Sequence, residues 1–225
     1  MDSKGDNMKI LGLDMSSKKT GYSYFDGEKL IDYGLWECES GEWRDRIIYM
    51  AEKITEFIDN NAIDKIYAED VPPILDNTQT VKVLSALQGM LMSISVCHNM
   101  PVEFIPVKTW KTAIGINFVS SKENVRLKRK VGIEFGSNAT QITKVWAKGW
   151  EKKLSVDYAN MVHGLQLTYK SPSSKFNEDD IADAINVAYS QVRQGELPIC
   201  NTETFEDIAD RFYSLVQEKY KKHGE

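Results

Sequence analysis

The sequence predicts an α/β protein built on one five-stranded mixed sheet, three antiparallel strands followed by parallel ones, with helices on its flanks. Three observations carry this reading. The opening stretch KILGLDMSSKKTGYSYFDG joins two strand-like runs through a short polar turn and ends on Asp26-Gly27, a strong hairpin signal. Strand-like and helix-like patterns then alternate, as parallel strands with crossover helices require. A last apolar helical stripe, NEDDIADAINVAYSQV, lies late in the chain with no strand after it.

Taken in order, residues 9–14 form an apolar strand ending on Asp14, and residues 20–25, rich in Tyr and Thr, form the second. Residues 30–36 return as the third. Residues 46–60 carry Ile47, Ala51, Ile54 and Phe57/Ile58 at helical spacing. KIYAED, residues 65–70, is a fourth strand, stopped by Pro72-Pro73. Residues 80–99 form a second long helix and 102–106 a fifth strand. Ser120 and Glu123 make a capping box that opens a basic helix to about Phe135. ITKVWAKGWEKKLS is amphipathic, with Trp146, Trp150 and Leu154 on one face and Lys144, Lys148 and Lys152 on another. Residues 204–221 form a final helix on Phe205, Ile208, Phe212 and Leu215. The expected organisation is a polar leader (1–7), a domain over 8–195 with an insertion at 136–177, and a helical extension over 196–225.

The 225 residues suffice for one large domain with additions. No apolar run of the roughly 20 residues that span a bilayer is expected, nor a signal peptide. Three widely spaced cysteines, Cys38, Cys97 and Cys200, suggest reduced thiols in a cytoplasm and no zinc site. The net charge of −5 is unevenly spread: residues 108–153 hold 11 Lys/Arg and three Asp/Glu, a net of +8, so the remainder carries −13. Such a basic block is either a solvated helix face or a nucleic-acid footprint.

Four acids fall at telling places. Asp14 ends the first strand and Glu69 the fourth; Asp180 and Asp183 are three apart near the start of the late helix and share a face. Adjacent central strands bring Asp14 and Glu69 together, and a helix N-terminus laid over the sheet adds the other two. Singly, each has a plainer role as a turn former, a solvated strand end or a complement to the helix dipole. Together they repel, and hard divalent cations neutralise such a set through oxygen ligands. Two ions roughly 4 Å apart activate water and stabilise the leaving oxygen in phosphodiester hydrolysis. Asp179, four residues before Asp183, competes with Asp180 for the ligand role.

The order of elements is that of an RNase H-like domain. ILGLDMSSKKTGYSYF resembles the opening of RuvC-type Holliday junction resolvases, IYAEDVP resembles their second acidic motif, and DDIADAINVAY their closing D-x-x-D-A helix. The likeness covers roughly residues 8–133 and 177–193. It implies a metal-binding catalytic tetrad of Asp14, Glu69, Asp180 and Asp183, Mg²⁺ or Mn²⁺ as two ions per site, a homodimer, a four-way DNA junction as substrate, and paired nicks leaving 5′-phosphates. Val71-Pro72-Pro73 stands where bacterial members carry a junction-stacking aromatic. That departure, with the insertion and the extension, suggests a divergent member, from a phage or another mobile element.

Family members place lysines after the fifth strand on the DNA backbone, which nominates Lys108, Lys111, Lys122, Lys128 and Arg129 as phosphate contacts. Trp146, Trp150 and His163 read as core. The helix over 80–99 is apolar on more than one face: Met90, Met92 and Val96 widen the stripe of Val83, Leu84, Leu87, Leu91 and Ile94. Burial against a second subunit, or under the C-terminal extension, accounts for the excess. Three rivals stand beside a junction-resolving nuclease. One is another RNase H-like nuclease acting on RNA–DNA hybrids or branched DNA. The second is an actin-like ATP-dependent kinase, and the third a junction-binding protein without catalysis.

Overall fold

A computed structural model describes residues 7–71, 77–116, 138–171, 174–193 and 195–198, with Asp210 and Ser214. Five strands, β1 (Lys9–Asp14), β2 (Lys19–Asp26), β3 (Lys29–Glu37), β4 (Lys65–Glu69) and β5 (Val102–Ile105), form one sheet in the order β3-β2-β1-β4-β5. The hairpin pairs β1–β2 and β2–β3 are antiparallel, whereas β4 lies parallel to β1 and β5 parallel to β4. This is the expected mixed sheet. Gly27, at φ +61°, takes the left-handed turn conformation that the Asp26-Gly27 signal anticipates.

Five helices flank the sheet among the described residues: α1 (Trp43–Asn61), α2 (Thr78–Cys97), α3 (Val107–Ala113), α4 (Asn138–His163) and α5 (Asp179–Val192). Side chains alternate across each strand, so β1 feeds two cores. Leu11 and Leu13 pack with Ile54, Ile58, Leu91 and Ile94 of α1 and α2. Ile10 packs on the opposite face with Phe25, Trp110, Tyr158, Ile185 and Ala188, beneath α3, α4 and α5. Burying these side chains contributes about 1.5–3 kcal/mol each for the larger ones.

Two elements differ from expectation. The residues after β5 turn directly into α3, which buries Trp110 completely. The C-terminal half of α4 belongs to the core, with Leu154, Val156, Tyr158 and Ala159 buried there and Trp150 packed at its margin. His163 is structural as anticipated. It stacks edge-on against Tyr189 at 4.7 Å, and burial pushes its imidazole down to about 4. The expected absence of a membrane-length apolar segment is corrected by α2, which by length and composition is long and apolar enough to cross a bilayer. Its place in the fold is as a crossover helix between two parallel strands, with Leu87, Leu91 and Ile94 buried. The expected helices over 120–135 and 204–221 and the leader over 1–6 lie outside the described residues, apart from the helical Asp210 and Ser214.

Candidate active site

The site begins with two missing side chains. Gly12 on β1 and Gly21 on β2 lie under α5, which presents Asp180, Ala184 and Ala188 at helical spacing. A Cβ on Gly12 would stand 2.4 Å from Ala184 O and 2.6 Å from Ala188 Cβ. One on Gly21 would stand 2.0 Å from Asp180 O. The Ser23 hydroxyl donates to Ala184 O at 2.8 Å and fastens helix to strand. Small residues on both elements therefore let the helix lie on the sheet at backbone contact, with its N-terminus above the end of β1.

Period-two alternation puts Asp14 on the same face as Gly12, toward α5. The β1–β4 register pairs Leu13 with Ala68, so Asp14 and Glu69 are the next pair along two parallel central strands. α5 adds Asp183, which is buried, and Asp180, which is half-buried. Mutual influence follows from this convergence. Burial, then the charges of Glu69, Asp183 and Asp180, hold the Asp14 carboxyl well above the usual carboxylate range. Burial, then Asp183, pushes Glu69 up to about 7, against the opposing pull of Lys111, Trp110 and Lys152. Asp183 is raised by burial despite Lys111, Ser155 and Lys152, and Asp180 by burial and then Asp179.

Several partners of these acids were not singled out from sequence. Trp110 Nε1 donates to Glu69 Oε2 at 3.2 Å. Ser155 Oγ donates to Asp183, and Asn186 Nδ2 donates to Ser155 O at 2.9 Å and Ser155 Oγ at 2.8 Å, a buried chain that fixes the Asp183 carboxylate. Lys152 of α4 makes an ion pair with buried Asp179. Burial works against its charge, but the hydrogen bond and charge of Asp179, with Asp180 and Asp183, raise the ammonium above its ordinary value. Lys152 and Ser155 sit three apart and so share a face of α4, a spacing visible in the sequence; which way that face turns is a tertiary property.

Of the nominated phosphate contacts, Lys108 is exposed on α3. Lys111 is only 7% exposed, with its ammonium 5.2 Å from the Trp110 ring and its charge felt by Glu69 and Asp183. It is a lysine of the acidic site's wall, not of an open basic surface. Lys122, Lys128 and Arg129 lie outside the described residues, as do Pro72-Pro73.

The donor set is four carboxylates, with no imidazole or thiol beside them among the described residues, which fits a hard divalent cation. Their elevated pKa values mark a place short of positive charge. Among the described residues no three such groups stand close enough to cage an ion; the acids converge, with Lys111 and Lys152 offsetting part of their charge.

A consequence for stability follows. The Glu69 carboxyl ionises near 4.5 in an unfolded chain and near 7 in the fold, so between those values the folded state binds more protons. Metal-free protein is accordingly most stable at the acid side of this window and loses stability as pH rises through about 7. Thermal melts in EDTA should show Tm falling from pH 5.5 to 8, with Glu69→Gln flattening the fall and stabilising the metal-free protein at pH 8 by roughly 1–2 kcal/mol after solvent screening. A melt independent of pH in wild type would remove the predicted strain.

No protein-family profile matches the sequence. The crossover junction endodeoxyribonuclease RuvC of Campylobacter jejuni is 28% identical over 144 residues, 61% of this chain and 89% of its own length. RuvC of Campylobacter concisus is 29% identical over 113 residues, 48% of this chain and 71% of its own. The structure of T. thermophilus RuvC in complex with a Holliday junction substrate superposes with a TM-score of 0.51 at 13% identity, covering 81% of this chain and 91% of that one. The fold is the RNase H-like fold of that protein. The chain is thus similar in sequence to the RuvC crossover junction endodeoxyribonucleases of Campylobacter and similar in fold to RuvC of T. thermophilus.

Proposed function

We propose that this protein is a metal-dependent, structure-selective DNA endonuclease, a crossover junction endodeoxyribonuclease that resolves four-way junctions by paired nicks. It would act in the cytoplasm during recombination, repair or phage DNA processing. The observation that supports this best is the convergence of Asp14, Glu69, Asp180 and Asp183 from two central strands and one helix, in a chain whose three acidic motifs resemble those of RuvC.

In this reading the four acids would hold Mg²⁺ or Mn²⁺, two ions per site. Bound there, the cations would supply Lewis-acid charge to the phosphodiester and lower the pKa of the attacking water. The chain's own residues do the rest. Asp14 and Glu69 are carried by strand backbone, and Asp183 is held by Ser155, which Asn186 in turn holds. Asp179 is engaged by Lys152, which leaves Asp180 to serve with Asp183. Lys111 and Lys152 carry positive charge beside the acids and lessen their repulsion of a phosphodiester anion. Water adds to phosphorus, the P–O3′ bond breaks, and the product keeps a 5′-phosphate.

The proposal includes a homodimer assembled through α2. Leu87, Leu91 and Ile94 face the core, yet Val81, Met92 and Val96 are 37%, 55% and 81% exposed. An apolar outer face on a crossover helix suits a partner surface, and methionine adapts to one. One subunit has one acidic site, so two cuts before dissociation need two subunits. Met92→Glu should cost several kcal/mol of association, because an unpaired carboxylate would be desolvated. Sedimentation should show a monomer, and a cruciform plasmid assay should show nicked circles in place of linear product. A dimeric Met92→Glu would move the interface elsewhere.

Incubation with a four-way junction, a matched linear duplex and an RNA–DNA hybrid tests the substrate class. Symmetrical cuts in the junction, with the duplex and hybrid intact, are expected. Preferential hybrid cleavage would favour the other RNase H-like reading, and binding without cleavage a non-catalytic junction protein.

A further inference from the structure

A second feature lies beside the acidic site, on the α1/α2 side of the sheet. The turn that follows Asp14, the start of α1 and the start of α2 enclose a cavity of about 490 Å³, lined among others by Ser16, Ser17, Lys18, Trp43, Arg46 and Thr80. Its lining holds two cations and no carboxylate. Arg46 is only 9% exposed. Its guanidinium donates from Nε to Ser17 Oγ at 3.2 Å and from Nη1 to Ser40 O at 2.8 Å and Gly41 O at 2.9 Å. No carboxylate pairs with it among the described residues.

A buried guanidinium with no carboxylate beside it gains from an arriving anion, and Nη2 is the nitrogen left to meet a phosphate oxygen. The rest of the cavity points the same way. Two long helices begin at its wall; the Asn77 side chain caps the Gln79 and Thr80 amides of α2, so the N-terminus of α1 is the one that can add its dipole. α1 has no side-chain cap on its first-turn amides. The Trp43 ring at the rim has Arg44 4.6 Å and Lys82 5.5 Å from its centroid. Asp45, the acid in the first turn of α1, is turned to the Ser40 hydroxyl at 3.2 Å.

We propose that this cavity binds a backbone phosphate of the DNA strand that enters the acidic site, with Arg46 and Lys18 as charge partners and Ser17 and Thr80 as hydroxyl donors. The inference rests on the nuclease reading, and it adds a phosphate subsite outside the basic segment after β5. The cavity wall begins two residues after Asp14 in the chain, at the same end of β1 as the carboxylates. Such a contact fixes the register of the strand and carries no sequence information.

The test uses the full chain in EDTA. Octathymidylate and, separately, inorganic phosphate are titrated into ¹⁵N-labelled protein while the Arg46 Nε and Ser17 amide signals are followed. Fluorescence anisotropy then measures junction affinity against salt for wild type, Lys18→Gln, Arg46→Lys and Arg46→Gln. Octathymidylate should shift both signals at concentrations where inorganic phosphate does not. Lys18→Gln should weaken junction binding about three- to tenfold and reduce the slope of log K against log salt by roughly 0.7–0.9. Arg46→Gln should weaken it further, with Arg46→Lys intermediate. Should Arg46→Gln not fold, Lys18→Gln and the Nε signal decide. An unmoved Arg46 Nε with an unchanged slope in Lys18→Gln overturns the subsite, even where wild type cleaves junctions. A response to inorganic phosphate alone overturns its assignment to DNA. Shifts with octathymidylate in a protein that cuts no junction would retain the subsite and overturn the nuclease reading instead.

Discussion

Asp14→Asn, Glu69→Gln and Asp183→Asn should each lower junction cleavage by roughly a thousandfold or more while leaving junction binding within a few-fold of wild type. Each removes one carboxylate from a set that converges on one place and spares every basic side chain. A lost metal contact worth about 4 kcal/mol in the transition state corresponds to three powers of ten in rate. The same substitutions remove a like charge from a crowded site, so the metal-free variants should melt at or above wild type. That pairing of lost activity with gained stability separates a functional acid from a structural one, whose removal lowers both. Asp180→Asn should be inactive and Asp179→Asn only impaired, because Asp179 pairs with Lys152. Single-turnover cleavage with anisotropy on the same preparations measures both effects. Full activity in any one of the first three variants would remove that residue from the site.

Gly21→Ala should be the most damaging glycine-to-alanine change among the described residues. Its Cβ would lie 2.0 Å from Asp180 O, a backbone atom at the first turn of α5, so the helix end must lift. Overpacking of this kind costs about 3 kcal/mol, at the upper end of the usual range because backbone must move. In a chain of this size that corresponds to a fall in Tm of roughly 6–12 °C. The lifted turn carries Asp180 and Asp183 away from Asp14 and Glu69, and a displacement near 1 Å costs about a hundredfold in rate. Gly41→Ala is the control, since a Cβ there meets nothing within 4 Å. Equal melting temperatures for the two variants would contradict the close packing of α5 on β2.

These sensitivities also show how much of the molecule could be read beforehand. All five strands were legible, because β1 to β5 combine apolar or alternating patterns with turn residues at their ends. The long helices α1, α2 and α5 were legible from their stripes. α3 was not: seven residues after Pro106 are too few for a periodic signal, and Trp110 there is fixed by the core. Asp14, Glu69, Asp180 and Asp183 could be nominated because strand ends and helix starts are local features. The roles of Lys152, Ser155 and Asn186 could not, because they depend on how α4 lies against α5. KKLS reads as a polar face until the acids beside it are known. The burial of Lys111 was hidden for the same reason: a basic run looks solvated in sequence, although its ammonium is held beside the Trp110 ring and the acids.

The most direct test of the account is cleavage of a synthetic four-way junction by the wild-type protein, with and without Mg²⁺, beside the Asp14→Asn variant and a matched linear duplex. The account predicts paired, symmetrical cuts with 5′-phosphate ends only in wild type with Mg²⁺ on the junction. Equal cutting of the duplex, cleavage in EDTA, or full activity of Asp14→Asn would contradict it.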